Sequence, residues 1–209
     1  MEIEFNESEG ECFEDIIKIY LKSKDLMLYA EEIGDESFLP ATEEFRHAFD
    51  HLMRVFAFKL GLKSGDEDYV IKNFNPGYSH LYRAAYNLLD FLSIIFRDKV
   101  YGELKGFSGK TLVEIFPKYY HEIKPFIEID LPEEVSKLRS EKDIGKNSQN
   151  DLDKYTEIVG RFKSYYNEIL RIKPSLIEYE NKKRKAIMLR ITILIIVTVI
   201  GALIAGVLL

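Results

Sequence analysis

The last stretch of this chain restricts its fold more than any other. From Ile191 to Leu209 there are 19 residues without a charged side chain. As a helix rising ~1.5 Å per residue they reach about 28 Å, close to the ~30 Å of hydrocarbon that a single span must cross. No other window of that length is free of charge, so the pattern describes a soluble body joined at its C-terminal end to one transmembrane helix. Lys182, Lys183, Arg184 and Lys185 precede the span and Arg190 lies in its first turn, while no charged side chain follows. The positive-inside bias therefore places residues 1–181 in the cytoplasm, 182–190 at the bilayer surface as a basic juxtamembrane segment, and 191–209 in the cell membrane as a single pass. Arg190 can snorkel toward the headgroups, and the basic cluster suits anionic lipid at ~1 kcal/mol per side chain. Within the span Gly201, Ala202, Ala205 and Gly206 form two small-xxx-small pairs, which predict a homo-oligomer through Gly201, Ala205 and Gly206.

The N-terminus, Met1 to Phe5, is acidic and lacks the basic and apolar regions of a secretory signal, so the expectation is a tail-anchored protein. The remaining length fits one domain able to bury a core. A single cysteine, Cys12, excludes an internal disulfide and a cysteine metal cluster. All 35 acidic residues precede the span, against 24 basic ones (29 less the five flanking it), so residues 1–181 carry about −11. Residues 1–44 alone hold 14 acidic and 3 basic residues. Such a body is a poor general partner for a phosphate backbone, and its acidic N-terminal region suits a basic partner or simply confers solubility.

Periodicity predicts an all-α bundle. Ser8-Glu9-Gly10-Glu11 fits a capping box ahead of a helix from Cys12 to Ile33, with Phe13, Ile16, Ile17, Tyr20, Met27 and Leu28 inward and Gly34 as its stop. A second helix runs from Leu39 to Leu60, its apolar arc being Phe45, Phe49, Leu52, Phe56 and Leu60, and Gly61 ends it. A polar connection leads through an apolar piece, Tyr69 to Phe74, to a turn at Asn75-Pro76-Gly77. The third helix, Tyr78 to about Lys99, is apolar around most of its circumference and should be the centre of the bundle. Short helices are expected over Leu112–Ile123 and from Pro132 to about Lys142, then a loop from Asp143 to Asn150. Asp151 should cap a long helix to Ile172, interrupted at Pro174-Ser175 and resuming into the membrane. Gly106-Phe107-Ser108-Gly109-Lys110-Thr111 looks like a phosphate-binding loop, but Leu104 stands where that loop needs its first glycine, and no strand precedes it.

Two polar stripes are candidate chemistry. The second helix carries Arg46, His47, Asp50, His51 and Arg54, and the third carries His80, Arg83, Asn87 and Asp90. If the stripes face one another they make a composite binding pocket; if not, Arg46 with Asp50 and Asp50 with Arg54 are ordinary i, i+4 pairs on a solvated face. His47 and His51 also have a helical metal-ligand spacing, with Asp50 between them, but no matching pair recurs on the third helix, so no metal and no other cofactor is expected.

Arg46, four intervening residues and His51 resemble the Arg-x4-6-His pattern of the HEPN superfamily of small all-helical domains, with the polar His47 following the arginine. That superfamily includes metal-independent ribonucleases, many in defence and toxin systems, in which dimerisation brings two such motifs together. The resemblance implies that Arg46 binds or polarises a scissile phosphate and that His51, with His47 and Asp50 nearby, acts as general acid or base. The chain therefore carries two expectations. One is a C-terminally anchored helical binding module, an adaptor, sensor or effector at the membrane with a protein partner; the alternative is an RNA endonuclease effector of HEPN type.

Overall fold

Helix α1, Glu7–Gly34, starts on a reciprocal cap in which Asn6 Oδ1 accepts from the Glu9 N–H and Glu9 Oε2 accepts from the Asn6 N–H, both at 2.9 Å. The cap lies two residues before the box expected at Ser8 and Glu11: Asn6 and Glu9 have the same spacing, and theirs is the reciprocal pair that forms. The same Glu9 carboxylate, only 6% exposed, receives Lys59 Nζ at 2.6 Å from the end of α2, so one side chain both begins α1 and holds α2. The structure, a computed structural model, describes residues 3–140 and 148–208, without the side chains of 148–149 and 204–208. All regular structure among these residues is helical: α1, α2 (Leu39–Lys59), α3 (Tyr69–Leu104), α4 (Gly109–Ile115), α5 (Leu131–Ser140) and α6 (Ser148–Leu208), with two wide π-type turns at Tyr119–Ile123 and Phe126–Asp130. The chain divides into two compact units, Met1–Asp98 with Leu131–Lys163, and Lys99–Asp130 with Ser164–Leu209.

In the first unit α1 and α2 run antiparallel, as the ring contacts Phe13–Phe56 (6.2 Å) and Tyr20–Phe45 (6.1 Å) require. Both are turned relative to the faces that their large side chains suggest. Beyond Glu9, the buried residues of α1 are Ile16, Ile19, Ser23 and Ala30, while Ile17, Tyr20 and Leu28 are exposed. Those of α2 are Ala41, Ala48 and Val55, one every seven residues, whereas Phe49 is 60% exposed. Small residues decide the rotation because they let a helix come close to α3. Ser23 Oγ donates to the Ile19 carbonyl at 2.6 Å with the Leu81 carbonyl 3.2 Å away, and a Cβ added to Gly77 of α3 would lie 3.6 Å from His51 Cβ and 3.9 Å from the Ala48 carbonyl oxygen. Gly34 serves close packing in the same way, its Cα facing Phe91 and Ile95; the left-handed residue that ends α1 is Asp35, at φ 57°.

Helix α3 absorbs the turn expected at Asn75-Pro76-Gly77. Pro76 has no N–H for the Lys72 carbonyl, a defect of about 3 kcal/mol in a helix interior, but Val70, Phe74 and Leu81 on either side of it are all buried. Phe74 stacks on Phe13 at 5.6 Å, so the segment before the proline is held in the core. From Leu81 to Phe96, α3 is the centre of this unit, as its pattern predicts: Leu81, Tyr82, Ala84, Ala85, Tyr86, Leu88, Leu89, Leu92 and Phe96 are all buried. Helix α6 begins at Ser148 rather than on an Asp151 cap, which leaves Asp151 in its first turn, and it supplies Leu152, Tyr155, Val159 and Phe162 to the same core. Of the loop expected from Asp143 to Asn150, the part before Ser148 lies outside the described residues, and Ser148 to Asn150 are helical.

In the second unit the helix expected over Leu112–Ile123 is shorter, ending at Ile115, because Pro117 follows. Around Pro125 the chain winds wide, with the Lys124 N–H donating to the Tyr119 carbonyl five residues back. Tyr119, Ile123, Phe126 and Ile127 are buried there, and Phe126 meets Tyr165 at 5.3 Å. Pro174 does not interrupt α6; the helix is anchored on either side of it by the buried Ile169 and Leu176. From Arg184 to Leu203 every residue is exposed, and this helix is long and apolar enough, by length and composition, to cross a membrane. Phe96→Ala should lower the unfolding free energy of the full chain in neutral detergent by about 3–5 kcal/mol, and Phe49→Ser should change it by less than about 0.5 kcal/mol. Denaturant titration followed by circular dichroism measures both, and equal losses would mean that α2 is rotated otherwise.

Candidate functional site

The close approach of α2 and α3 at Ala48 and Gly77 brings together the histidines of the two stripes. On α2, Glu44, His47 and His51 occupy one edge of the helix at i, i+3 and i+7, and on α3 Asn73, His80 and Arg83 face them. The His47 and His80 rings stack at 5.0 Å and 26°, and those of His51 and His80 at 5.5 Å and 27°. His80 Nδ1 stands 2.6 Å from Glu44 Oε2 and 2.6 Å from Arg83 Nη2, so it can donate to the carboxylate or accept from the guanidinium, but not both. Arg83 Nε donates to both oxygens of Glu44 at 3.2 Å.

The tautomer of His51 follows from its neighbour. Asn73 Nδ2 donates to the Tyr69 carbonyl at 2.8 Å, which fixes the amide so that Oδ1 faces His51 Nδ1 at 3.2 Å. An amide oxygen only accepts, so His51 Nδ1 carries a hydrogen. Asn73 is 7% exposed, and its amide is satisfied by this pair of bonds.

Arg46 is not part of this cluster. Its guanidinium pairs with Glu43 at 2.5 Å and its side chain is 69% exposed, on the side of α2 turned away from α3. At ~100° per residue Arg46 and His51 project about 140° apart, and the helix rotation sends His51 inward and Arg46 outward. Asp50 pairs with Arg54 at 2.5 Å on the exposed face, as the i, i+4 spacing predicts. The α3 stripe is divided as well. His80 and Arg83 join the histidines, Asn87 is half-buried one turn further along, and Asp90 pairs with Arg139 Nη2 at 2.6 Å and accepts from the Tyr155 hydroxyl. Burial first, and then Asp90, pushes the Tyr155 phenol upward, so it stays a donor throughout the physiological range.

Glu44 and Asn73 are the members that sequence reasoning missed. Glu44 was legible as the acid one turn before His47, but Asn73 lay in a segment read as connection rather than helix. What the cluster can do chemically is limited by its own pairing: the carboxylate is shared between His80 and Arg83, and stacked rings do not aim their nitrogens at one point. Among the described residues no group of three or more His, Cys, Asp or Glu side chains is arranged to hold a metal ion. Cys12 is raised by burial and by Asp15 and Glu11, which disfavours the nucleophilic thiolate.

The loop-like sequence at Gly106 to Thr111 is occupied from within. Ser108 caps α4 by accepting from the Thr111 N–H at 3.1 Å, and the Glu180 carboxylate accepts from the Thr111 hydroxyl and, at 3.4 Å, from the Ser108 N–H. The Thr111 hydroxyl holds the Glu180 carboxyl below its usual range. Of the basic segment, Lys182 pairs with Glu178 at 2.7 Å and Lys183 lies 3.4 Å from Ser108 Oγ. No protein-family model, no curated protein and no solved structure matches the chain.

Glu44→Gln should destabilise the full chain by roughly 1–2 kcal/mol, because it leaves Arg83 half-buried without its counter-charge. Glu43→Gln, which breaks the exposed pair to Arg46, should cost less than about 0.5 kcal/mol. Parallel denaturant titrations in neutral detergent compare them, and indistinguishable midpoints would show the cluster to be as loosely held as the surface.

Proposed function

We propose that this protein is a membrane-anchored helical binding module, with residues 191–209 in the bilayer and the helical body on the cytoplasmic side. The observation that carries this reading is the uncovered apolar length of α6: Leu194, Val197 and Leu203 are 66%, 61% and 65% exposed, with no polar face between them. A contiguous apolar surface of that extent is stable against lipid or a partner and not against water. Lys182, Lys183, Arg184, Lys185 and Arg190 at its start support the orientation. Lateral association of the spans through Gly201, Ala205 and Gly206 is part of the proposal; Gly201 has open space about it, and the surroundings of Ala205 and Gly206 lie outside the described side chains.

The body's second exposed apolar surface supports binding as its mode of action. Because Phe13 opposes Phe56 and Tyr20 opposes Phe45, Ile17 and Leu21 of α1 lie beside Phe49 and Met53 of α2, and these four are 42%, 53%, 60% and 40% exposed. The exposed Asp25 borders the α1 side of the patch one turn beyond Leu21, and Glu14, paired with Lys18 at 2.8 Å, borders it before Ile17. An amphipathic helix flanked by lysine or arginine is the partner this combination fits. The outward placement of Arg46, in contrast, gives RNA cleavage by Arg46 and His51 no shared point of attack within one chain.

The full chain should stay with membranes after alkaline carbonate washing, and Val197→Arg with Ile200→Arg should release it, since each charge at mid-span costs about 2.5–3.5 kcal/mol. Protease should digest the body only after intact cells are permeabilised; digestion from outside would reverse the orientation. A photo-crosslinking residue at Leu21 or Phe49, in cells that make the protein, should capture a peptide that mass spectrometry reads as an amphipathic helix with basic flanks. Capture no stronger than from the exposed Leu62 would remove the partner surface.

A further inference from the structure

A groove of about 450 Å³ opens between α3 and α5, in the size range of small-molecule sites, and its charge is opposite to that of the body around it. We propose that it binds a small organic oxyanion, a carboxylate or phosphate monoester carried on a short apolar body. Two arginines line it, Arg97 from α3 and Arg139 from α5, against a single carboxylate, Asp90. In a cytoplasmic part that carries about −11 (35 acidic residues against 24 basic up to Asn181), a cationic groove is a local exception, and clefts lined by one sign of charge concentrate the opposite ion.

The two arginines are prepared differently. Arg139 is held at the lip by Asp90, which is itself fixed from below by the Tyr155 hydroxyl; Tyr155 is 1% exposed, so this support is rigid. Arg139 pairs with Asp90 through Nη2, and its side chain remains 56% exposed, which leaves donors for a ligand. Arg97, two helical turns beyond Asp90 on the same face of α3, forms no ion pair among the described residues. Among the described residues the groove therefore has two guanidinium groups against one carboxylate, and guanidinium is the side chain best suited to bidentate capture of an oxyanion. Ile94 and Val135 line it from opposite helices, and Ile94 is 48% exposed although it sits next to the core residue Ser93, so an apolar body would find a wall that is now in water.

Calorimetric titration of the full chain in phosphatidylcholine nanodiscs tests this, with hexyl phosphate and hexanoate as anionic probes and hexanol as the neutral one. Both anions should bind and hexanol should not, up to about 10 mM. Arg97→Gln should weaken anion binding by about tenfold or more, with an unchanged melting temperature, while Arg54→Gln on the exposed face of α2 should leave it alone. Adding phosphatidic acid to the nanodiscs distinguishes the source of the anion. If it competes with hexyl phosphate, the oxyanion is a lipid headgroup; if affinity is unaltered, it is a soluble molecule, and either result upholds the site. Absence of binding by both anions, equal binding of hexanol, or full affinity in the Arg97→Gln chain would overturn the proposal.

Discussion

Burial of α3 on nearly all sides is the constraint from which the rest of the first unit follows. Where α3 faces a neighbouring helix, a polar side chain on it must be met by that helix or carry a desolvation cost of about 1–3 kcal/mol. The observed partners meet that requirement one turn at a time. Asn73 is met by His51, His80 and Arg83 by Glu44, and Asp90 by Tyr155 and Arg139. The polar clusters are thus consequences of where α3 lies. α1 and α2 approach it on the two helix faces that carry serine, alanine and glycine contacts.

That requirement explains what could be read from the sequence and what could not. The all-α class, the central position of the third helix and the apolar terminal helix follow from periodicity and length, which are properties of single segments. The rotation of α1 and α2 does not, because each carries two plausible inward faces. On α2 the large residues Phe45, Phe49 and Phe56 form the more apolar arc, yet Ala41, Ala48 and Val55 are buried more completely. Hydrophobic pattern weighs a residue by its own transfer free energy, whereas the closest helix contacts are chosen by volume, and small residues gain their value only from the partner they admit. The same limit applies to Pro76 and Pro174. Local chemistry places a break at each, while the buried neighbours on either side of each keep the helix continuous.

The candidate site was legible only as composition. His47, His51 and His80 were visible as polar residues of two adjacent helices, and their meeting depended on the rotation just described. The pairing of Arg46 with His51 rested on spacing along one helix, and spacing fixes an angle but not which of the two residues faces the neighbour. Once Ala48 is placed against Gly77, His51 must turn toward α3 and Arg46 away from it. Arg83 is then the arginine that stands among the histidines, a residue no local motif singles out.

Charge follows a different logic from packing in this molecule. The exposed acidic residues of α1 touch little and leave the core unaltered, but they set a background field that any bound group must match. Against that field the basic residues are segregated: most lysines and arginines of the body are spent in pairs with neighbouring acids, such as Lys22 with Asp153 and Lys118 with Glu168. Among the described residues several cations stand outside the ion pairs found, and they include Arg97, Arg171 and, in the basic run, Arg184, Lys185 and Arg190. For the basic run, the proposed membrane anchoring would supply a reason, since cations at a span's end are stabilised by the headgroup region. Arg97 differs from the others in its place, a groove that it shares with Arg139 and the exposed Ile94. Two guanidinium groups and a single carboxylate in one groove are what the proposed oxyanion site rests on, whereas the carboxylate of the histidine cluster is already shared between His80 and Arg83.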